Sequence, residues 1–443
     1  MFKAFQLPST RLLFGSSQSH HEKLPGLYEF GPYRPIPVNT PVRFGFVFPT
    51  ENRDQANDLF RALRSGIGLF RGVESTFRFW FARDSVFPIS GFSISGLQNQ
   101  TEIARKYVDA ILMATSKGAK ADLFFVLSPY TPRWERETTY YETKATLLQQ
   151  GIISQTVTLE LLEDRYRFEW SIANIALATF VKLGGVPWIV QADDVVERDL
   201  IIGIGKAELF DPLERRREES DRVIGFTACF SARGLFKFLS LGSIANTRNE
   251  YLALLDEVVS SSLTRALKTH GAVSSLTLHV PKEMGNDEDA VIRRAVKQFS
   301  TQGTDVRIYV FKVSDEEQFF LTDDSVADRA VPRGTVVQIA DEEFLLYTEG
   351  REERQSWTTR PPSALRVRPQ AGPYLRSQIL DSLRKINDLS QINWRGLNAQ
   401  ARPISIEYGN QIARLLSHVP APAAHNLYTT DSKRVLEERM WFI

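Results

Sequence analysis

One cysteine, Cys229, stands in 443 residues. A lone thiol excludes an intramolecular disulfide framework and a four-cysteine zinc site. The six histidines show no metal-ligand spacing: His20 and His21 are adjacent in the lead-in and His279 falls in a strand-like run. No apolar run approaches the ~18 residues that cross a bilayer. Leu12-Leu13-Phe14 is too brief for a signal-peptide core. A cytoplasmic protein without a membrane span is the expectation, with Cys229 as a core filler. Neither charge sign dominates: 54 Lys plus Arg face 53 Asp plus Glu, a net +1. That balance argues against a uniformly basic coat for nucleic acid and leaves room for a local basic channel. No G-x-S-x-G, internal repeat or low-complexity tract occurs. Gly203-Ile204-Gly205-Lys206-Ala207 ends like a phosphate-binding loop. Leu200, however, stands at the position of its first glycine, and Ala207 has no hydroxyl for Mg²⁺.

What is present is length and alternation. The chain is long enough for two to three domains at ~100–200 residues each. Residues 1–40 are rich in Pro, Gly and Ser and read as a lead-in packed on the body. Residues 41–190 alternate strands and helices. Strands are expected at Arg43–Phe48, Ser75–Phe81, Asp122–Leu127 and Ile152–Thr158. Helices are expected over Glu51–Gly66, through Ile103, Tyr107, Ala110 and Ile111, over Arg136–Gln150, and from Trp170 to Leu183. Gly184-Gly185 and Pro187 punctuate the last of these. The pattern is that of a parallel sheet covered on both faces, an α/β fold. From residue 191 onward three strands come in a row, at Asp199–Ile204, Arg222–Phe230 and Leu235–Leu239. Helix, strand, helix and strand follow, at Asn249–Thr269, Ser275–Val280, Glu288–Ser300 and Asp305–Lys312. This order is that of an RNase H-like fold, which by itself assigns no function.

Four constellations carry chemistry. Tyr140 and Lys144 are one helical turn apart, a phenol beside an ammonium, as a terminal phosphate requires. Gln155 opens the next strand, at the sheet edge where α/β folds bind ligands. On spacing alone the Tyr/Lys pair reads by default as a solvated pair on an amphipathic helix. Asn174 and Lys182 lie two turns apart on one helix, and Lys182 also suits the negative end of the helix dipole. Asn393-Trp394-Arg395-Gly396 reads as a loop with an aromatic anchor. Met440-Trp441-Phe442-Ile443 is an apolar end expected to dock and carry its carboxylate inward.

In order, Tyr140-x-x-x-Lys144, Ser154-Gln155, Lys182-Leu183-Gly184-Gly185 with Pro187-Trp188, Asn393-Trp394-Arg395-Gly396 and the apolar end resemble a short prokaryotic Argonaute. The motifs are weak singly and specific as a set, and the similarity runs from about residue 25 to the end. The resemblance implies a Rossmann-like MID domain with a parallel sheet (41–190) and an RNase H-like PIWI domain (191–443). It implies that Tyr140, Lys144, Gln155 and Lys182 hold a guide 5′-phosphate, and that Asn174, Asn393 and Arg395 contact guide backbone. The carboxylate of Ile443 would hold a bridging Mg²⁺. Ala178 stands where a relative has a glutamine metal ligand, so that site is weaker or differently completed.

The same resemblance places the nuclease positions at Gly205, near Val280-Pro281, and at Asn410. None is an acid, and without paired carboxylates no two-metal site forms. The expectation is no catalysis: a guide RNA pairs with single-stranded target, DNA favoured, and activates an APAZ-domain effector partner, sirtuin-like or TIR, that degrades NAD in defence against plasmids or phage. The rivals are a stand-alone homodimeric Argonaute acting by occupancy and an active RNase H-type nuclease. Arg351, Arg354, Arg360, Arg366, Arg368 and Arg376, with only Glu352 and Glu353 as acids among them, suggest an internal basic channel.

Overall fold

The computed structural model describes residues 3–37, 41–131, 138–192, 198–208, 223–270, 273–281, 284–300, 306–316, 319–327, 329–351, 363–371, 373–398, 401–418 and 437–443. The charged run Arg215-Arg216-Arg217, Arg354 and Arg360 lie outside them.

The lead-in contributes β1 (Lys3–Gln6), β2 (Leu12–Leu13), β3 (Ser19–His20) and α1 (Lys23–Phe30). The first α/β unit follows as β4 (Phe44–Val47), α2 (Arg53–Ser65), α3 (Gly72–Phe77), β5 (Val86–Ile89), α4 (Gln100–Ser116), β6 (Leu123–Ser128), α5 (Thr139–Gln149), β7 (Ser154–Thr158), α6 (Leu159–Glu163) and α7 (Arg165–Lys182). Its four strands run parallel in the order β5-β4-β6-β7. β6, Leu-Phe-Phe-Val-Leu-Ser, is buried throughout, as a central parallel strand covered on both faces must be. Side-chain oxygens open the helices that matter for the site. Thr138 accepts from the Tyr141 N–H at α5, and Asp164 accepts from the Arg167 N–H at α7.

One expected element is corrected. Ser75–Phe81 is not a strand: Gly72–Phe77 is helical and ends on Arg78 in a left-handed conformation. Phe77 and Phe79 then both stack on Phe180 of α7, at 4.9 and 6.1 Å. Their alternation served packing on one ring rather than pairing in a sheet. The strand of this region is β5, later in the chain. α7 also starts earlier than Trp170, because Asp164 caps it.

The second unit contains β8 (Ile189–Val190), β9 (Asp199–Glu208), β10 (Val223–Ser231), β11 (Phe236–Ala245), α8 (Arg248–His270), β12 (Ser275–Pro281), α9 (Asn286–Ser300), β13 (Arg307–Glu316), β14 (Thr335–Ala340), β15 (Glu343–Tyr347), β16 (Ala364–Ala371), α10 (Arg376–Leu389) and α11 (Ile404–Ser417). The expected antiparallel meander is β9-β10-β11, and β12 joins β9 in parallel. The nine-stranded sheet is completed at its far edge by β1, so lead-in residues pair with the second unit. β2 pairs with β8, at the junction of the two units.

One large apolar cluster runs through both units. Phe44, Phe125 and Phe180 belong to it together with Trp188, Phe226, Trp394, Tyr408 and Met440–Ile443. α11 lies against β9, and the approach is backbone to backbone: a Cβ on Gly203 would sit 2.0 Å from the Ser405 carbonyl oxygen. His279 of β12 bonds Ser405 Oγ at 2.7 Å. Burial pulls its pKa down to about 3, aided by the Lys385 charge, so the ring is neutral near pH 7. Gly203→Ala is expected to destabilise by about 1–3 kcal/mol, since α11 must move away. Gly225→Ala, whose added Cβ meets nothing nearer than 3.5 Å, is expected to be near neutral. Urea unfolding of the two variants checks the difference.

Candidate nucleic-acid-end pocket

α5, β7 and α7 converge where the ends of α11 and of the chain dock. His418, just beyond α11, stacks on Tyr141 of α5 with ring centroids 3.7 Å apart. Tyr408 of α11 accepts from the Trp394 N–H at 2.9 Å and donates to the Ile392 carbonyl at 3.2 Å, which fixes the loop carrying Arg395. Between these contacts lies a cavity of about 390 Å³, within the range of small-ligand sites.

Its lining joins residues from distant parts of the chain. Tyr140, Lys144, Gln155, Asn174 and Lys182 come from the first unit, and Arg395 and Ile443 from the second. Of the residues expected from sequence, only Asn393 is absent from the lining. It is buried, and its Oδ1 accepts from the Arg395 N–H at 3.1 Å. That hydrogen bond makes Asn393 a shaping residue of the loop that carries Arg395. Asn174 lines the cavity and also accepts from the Leu397 N–H at 3.0 Å, tying α7 to that loop. Among the polar lining residues that were not anticipated are Ser128 and Tyr130, at and just beyond the end of β6, and Gln411 and Arg414 on α11. Nothing local in the sequence marks the α11 pair, because their place depends on where that helix docks.

The electrostatics are one-sided. Lys182 is fully buried, and its Nζ donates to the Ser154 carbonyl at 2.9 Å and to Gln155 Oε1 at 2.6 Å. Neither acceptor is an anion. Burial holds its pKa well below the usual lysine range, and the charges of Lys144 and Arg395 push it further down. Lys144 is also buried, with its Nζ 5.6 Å from the centre of the Tyr140 ring. No Asp, Glu or His is among the lining residues. Buried cations with no acidic side chain in the lining are costly, so the cavity favours an anion.

That donor set also tests the expected Mg²⁺. Ile443 reaches the cavity, but Ala178 presents only a methyl and no side-chain carboxylate joins. Among the described residues no group of three or more His, Cys, Asp or Glu stands together. The side chains suit an oxyanion and do not suit a divalent cation. The arginine-rich stretch lies elsewhere: Arg351 pairs with Asp323, Arg366 and Arg368 both reach Glu343, and neither these nor Arg376 line the cavity.

The positions that the resemblance matched to nuclease acids lie near one another. β9 and β12 pair Gly203 with His279, so Gly205 and Pro281 each lie two residues further along. Pro281 and Asn410 line one cavity of about 30 Å³ with Asp315 and Arg402. A Cβ at Gly205 would lie 2.3 Å from the Phe226 ring, which fills that place. Asp315 is the acid nearest these positions in that cavity, and Arg402 Nε donates to both its oxygens at 2.9 and 3.0 Å.

An anion at ten times its dissociation constant adds about 1.4 kcal/mol of stability. Millimolar phosphate is therefore expected to raise the thermal midpoint by a few degrees over chloride at equal ionic strength. Lys144→Ala and Lys182→Met are each expected to remove that difference, read by differential scanning fluorimetry.

Among the described residues no helix is long and apolar enough to cross a membrane. Residues 130–353 match the Piwi domain. The Argonaute protein of Cereibacter sphaeroides is 24% identical over 89% of this chain, and the chain spans 53% of its length. A Piwi protein of Archaeoglobus fulgidus is 23% identical over 69% of this chain and 71% of its own. The structure superposes on Clostridium butyricum Argonaute bound to a guide DNA and a target DNA, with a TM-score of 0.69, 16% identity, and coverage of 95% of this chain and 53% of that one. Drosophila Piwi gives a TM-score of 0.67 at 13% identity, covering 99% of this chain and 56% of that one. The chain belongs to the Piwi-domain family of Argonaute proteins, and it fits the short prokaryotic form.

Proposed function

We propose that the cavity binds the 5′-phosphate of a small guide strand, whose bases then pair with a single-stranded target. The carrying observation is the convergence of Lys144, Lys182, Arg395 and Arg414 with the Tyr140 phenol in a pocket that contains no acidic side chain. A phosphate monoester is an acceptor-only dianion near neutral pH and matches those donors. Base pairing then supplies sequence specificity while the protein holds backbone and shape, as in other guided systems. RNA as guide and DNA as target follow the family resemblance.

Guides bearing a 5′-phosphate are expected to bind more tightly than 5′-hydroxyl guides of the same sequence. Lys144→Ala and Lys182→Ala should each weaken the phosphorylated guide by about tenfold to a hundredfold, the worth of one charge-assisted hydrogen bond of ~1.5–3 kcal/mol. Filter binding measures both. Equal affinity of the parent protein for the two guide types would overturn the assignment.

We further propose that target recognition proceeds without cleavage. Gly205, Pro281 and Asn410 supply no carboxylate, and Phe226 occupies the space a side chain at Gly205 would need. Guide-loaded protein with Mg²⁺ or Mn²⁺ should leave a labelled complementary strand intact. Cleavage that disappears with Asp315→Asn would refute this. Signalling through an APAZ-domain effector, with NAD degradation as output, is the reading of defence that the resemblance supports. Co-purification of a neighbouring reading frame's product, and its activation by target, tests it.

A further inference from the structure

The nitrogen of Lys182 has fewer acceptors than an ammonium has hydrogens. The residue is 1% exposed, and its Nζ donates to the Ser154 carbonyl at 2.9 Å and to Gln155 Oε1 at 2.6 Å. An ammonium carries three hydrogens and no lone pair. Held away from water, its third hydrogen would need a third acceptor. What stands beside Nζ instead is a donor: Lys144 acts on it both as a charge and as a hydrogen-bonding group. An uncharged amine fits these neighbours. Its two hydrogens meet the two acceptors, and its lone pair faces the Lys144 ammonium.

The surroundings favour the same state. Around the cavity stand Tyr130 beyond β6, Tyr140, Tyr141 and Lys144 of α5, Arg395 between α10 and α11, Arg414 of α11, and Ile443 with its carboxylate. Burial acts most strongly on Lys182, then the charges of Lys144 and Arg395, and all three disfavour its proton. Two amines side by side and out of water titrate as a pair, and the second proton is the unfavourable one. A phosphate monoester reverses that balance. Its oxygens supply the missing acceptor, and its charge makes the ammonium form of Lys182 the favoured one.

We propose that the guide-free protein holds Lys182 as an uncharged amine and that an arriving 5′-phosphate puts a proton on it, so that guide capture and proton uptake are one event. The proposal rests on the guide-phosphate reading above and adds the proton to that same site. Above the second ionisation of the phosphate, at about pH 6, the guide arrives as a dianion and the proton comes from the buffer. Below it the phosphate brings its own proton, and there is no net uptake. Either way the product is an ammonium of Lys182 against a dianion. Above neutrality the bound state therefore holds one proton more than protein and guide apart, and affinity weakens as pH rises.

The test counts protons. The parent protein is titrated calorimetrically with 5′-phosphorylated and 5′-hydroxyl guides of one sequence near pH 8, in two buffers of different ionisation enthalpy. The phosphorylated guide is expected to take up about one proton more than the hydroxyl guide. Its affinity should fall by up to about tenfold per pH unit above neutrality, the limit for one proton, while that of the hydroxyl guide stays flat. Carbon-13 spectra of the protein labelled at lysine Cε give a second readout, with the Lys182 signal identified by its loss in Lys182→Arg. That signal should report an amine in the free protein near pH 8 and an ammonium once the phosphorylated guide is bound. The calorimetry needs no variant and is decisive alone. A preference for the phosphorylated guide without excess proton uptake would overturn this proposal and leave the phosphate pocket standing. So would a charged Lys182 in the free protein. Equal affinity for the two guides would remove the pocket itself, and this proposal with it.

Discussion

The buried side chain of Lys182 is the constraint around which the pocket is arranged. It sits at the last turn of α7, donating to a carbonyl and an amide and facing two further cations, Lys144 and Arg395. Such a group is unfavourable in the free protein. It is retained because everything else holds it in place: the capped start of α7, the Phe180 stack with Phe77 and Phe79, and the docked chain end. A site that stores unfavourable electrostatics until its anion arrives is a common exchange of stability for binding.

The second half of the pocket depends on α11. Gly203 lets that helix approach β9 at backbone distance, and His279 and Tyr408 fasten it from below and from the side. The same helix then serves two cavities. Gln411 and Arg414 line the larger one, while Ile406 and Asn410 line the small one beside Pro281 and Asp315. The chain of contacts Gln411–Glu407–Arg402–Asp315 runs between them. The two cavities thus share one helix.

The alternation of strands and helices was legible up to β13 because buried parallel strands such as β6 are continuous apolar runs and the helices carry clear stripes. It misled at Ser75–Phe81, where aromatic residues alternate to reach Phe180 from a helix end and the segment after it. β14, β15 and β16 were not read at all. The pairing of β1 with β14 joins residues more than three hundred apart in the chain, and no local pattern encodes such a partner.

Tyr140, Lys144, Gln155, Asn174 and Lys182 could be found in the sequence because helical spacing and strand order already place them near one another. The segments carrying Arg395 and Ile443 stood out by their aromatic and apolar character, and their roles came through resemblance. Gln411 and Arg414 were decided by tertiary structure alone. The sequence by itself determined the chemical types at the pocket, a surplus of cations beside a phenol and amides. Only the fold decided that these charges face one another across two units, because the docking of α11 and the chain end is set by close backbone approach and shared apolar burial, neither of which leaves a local signature.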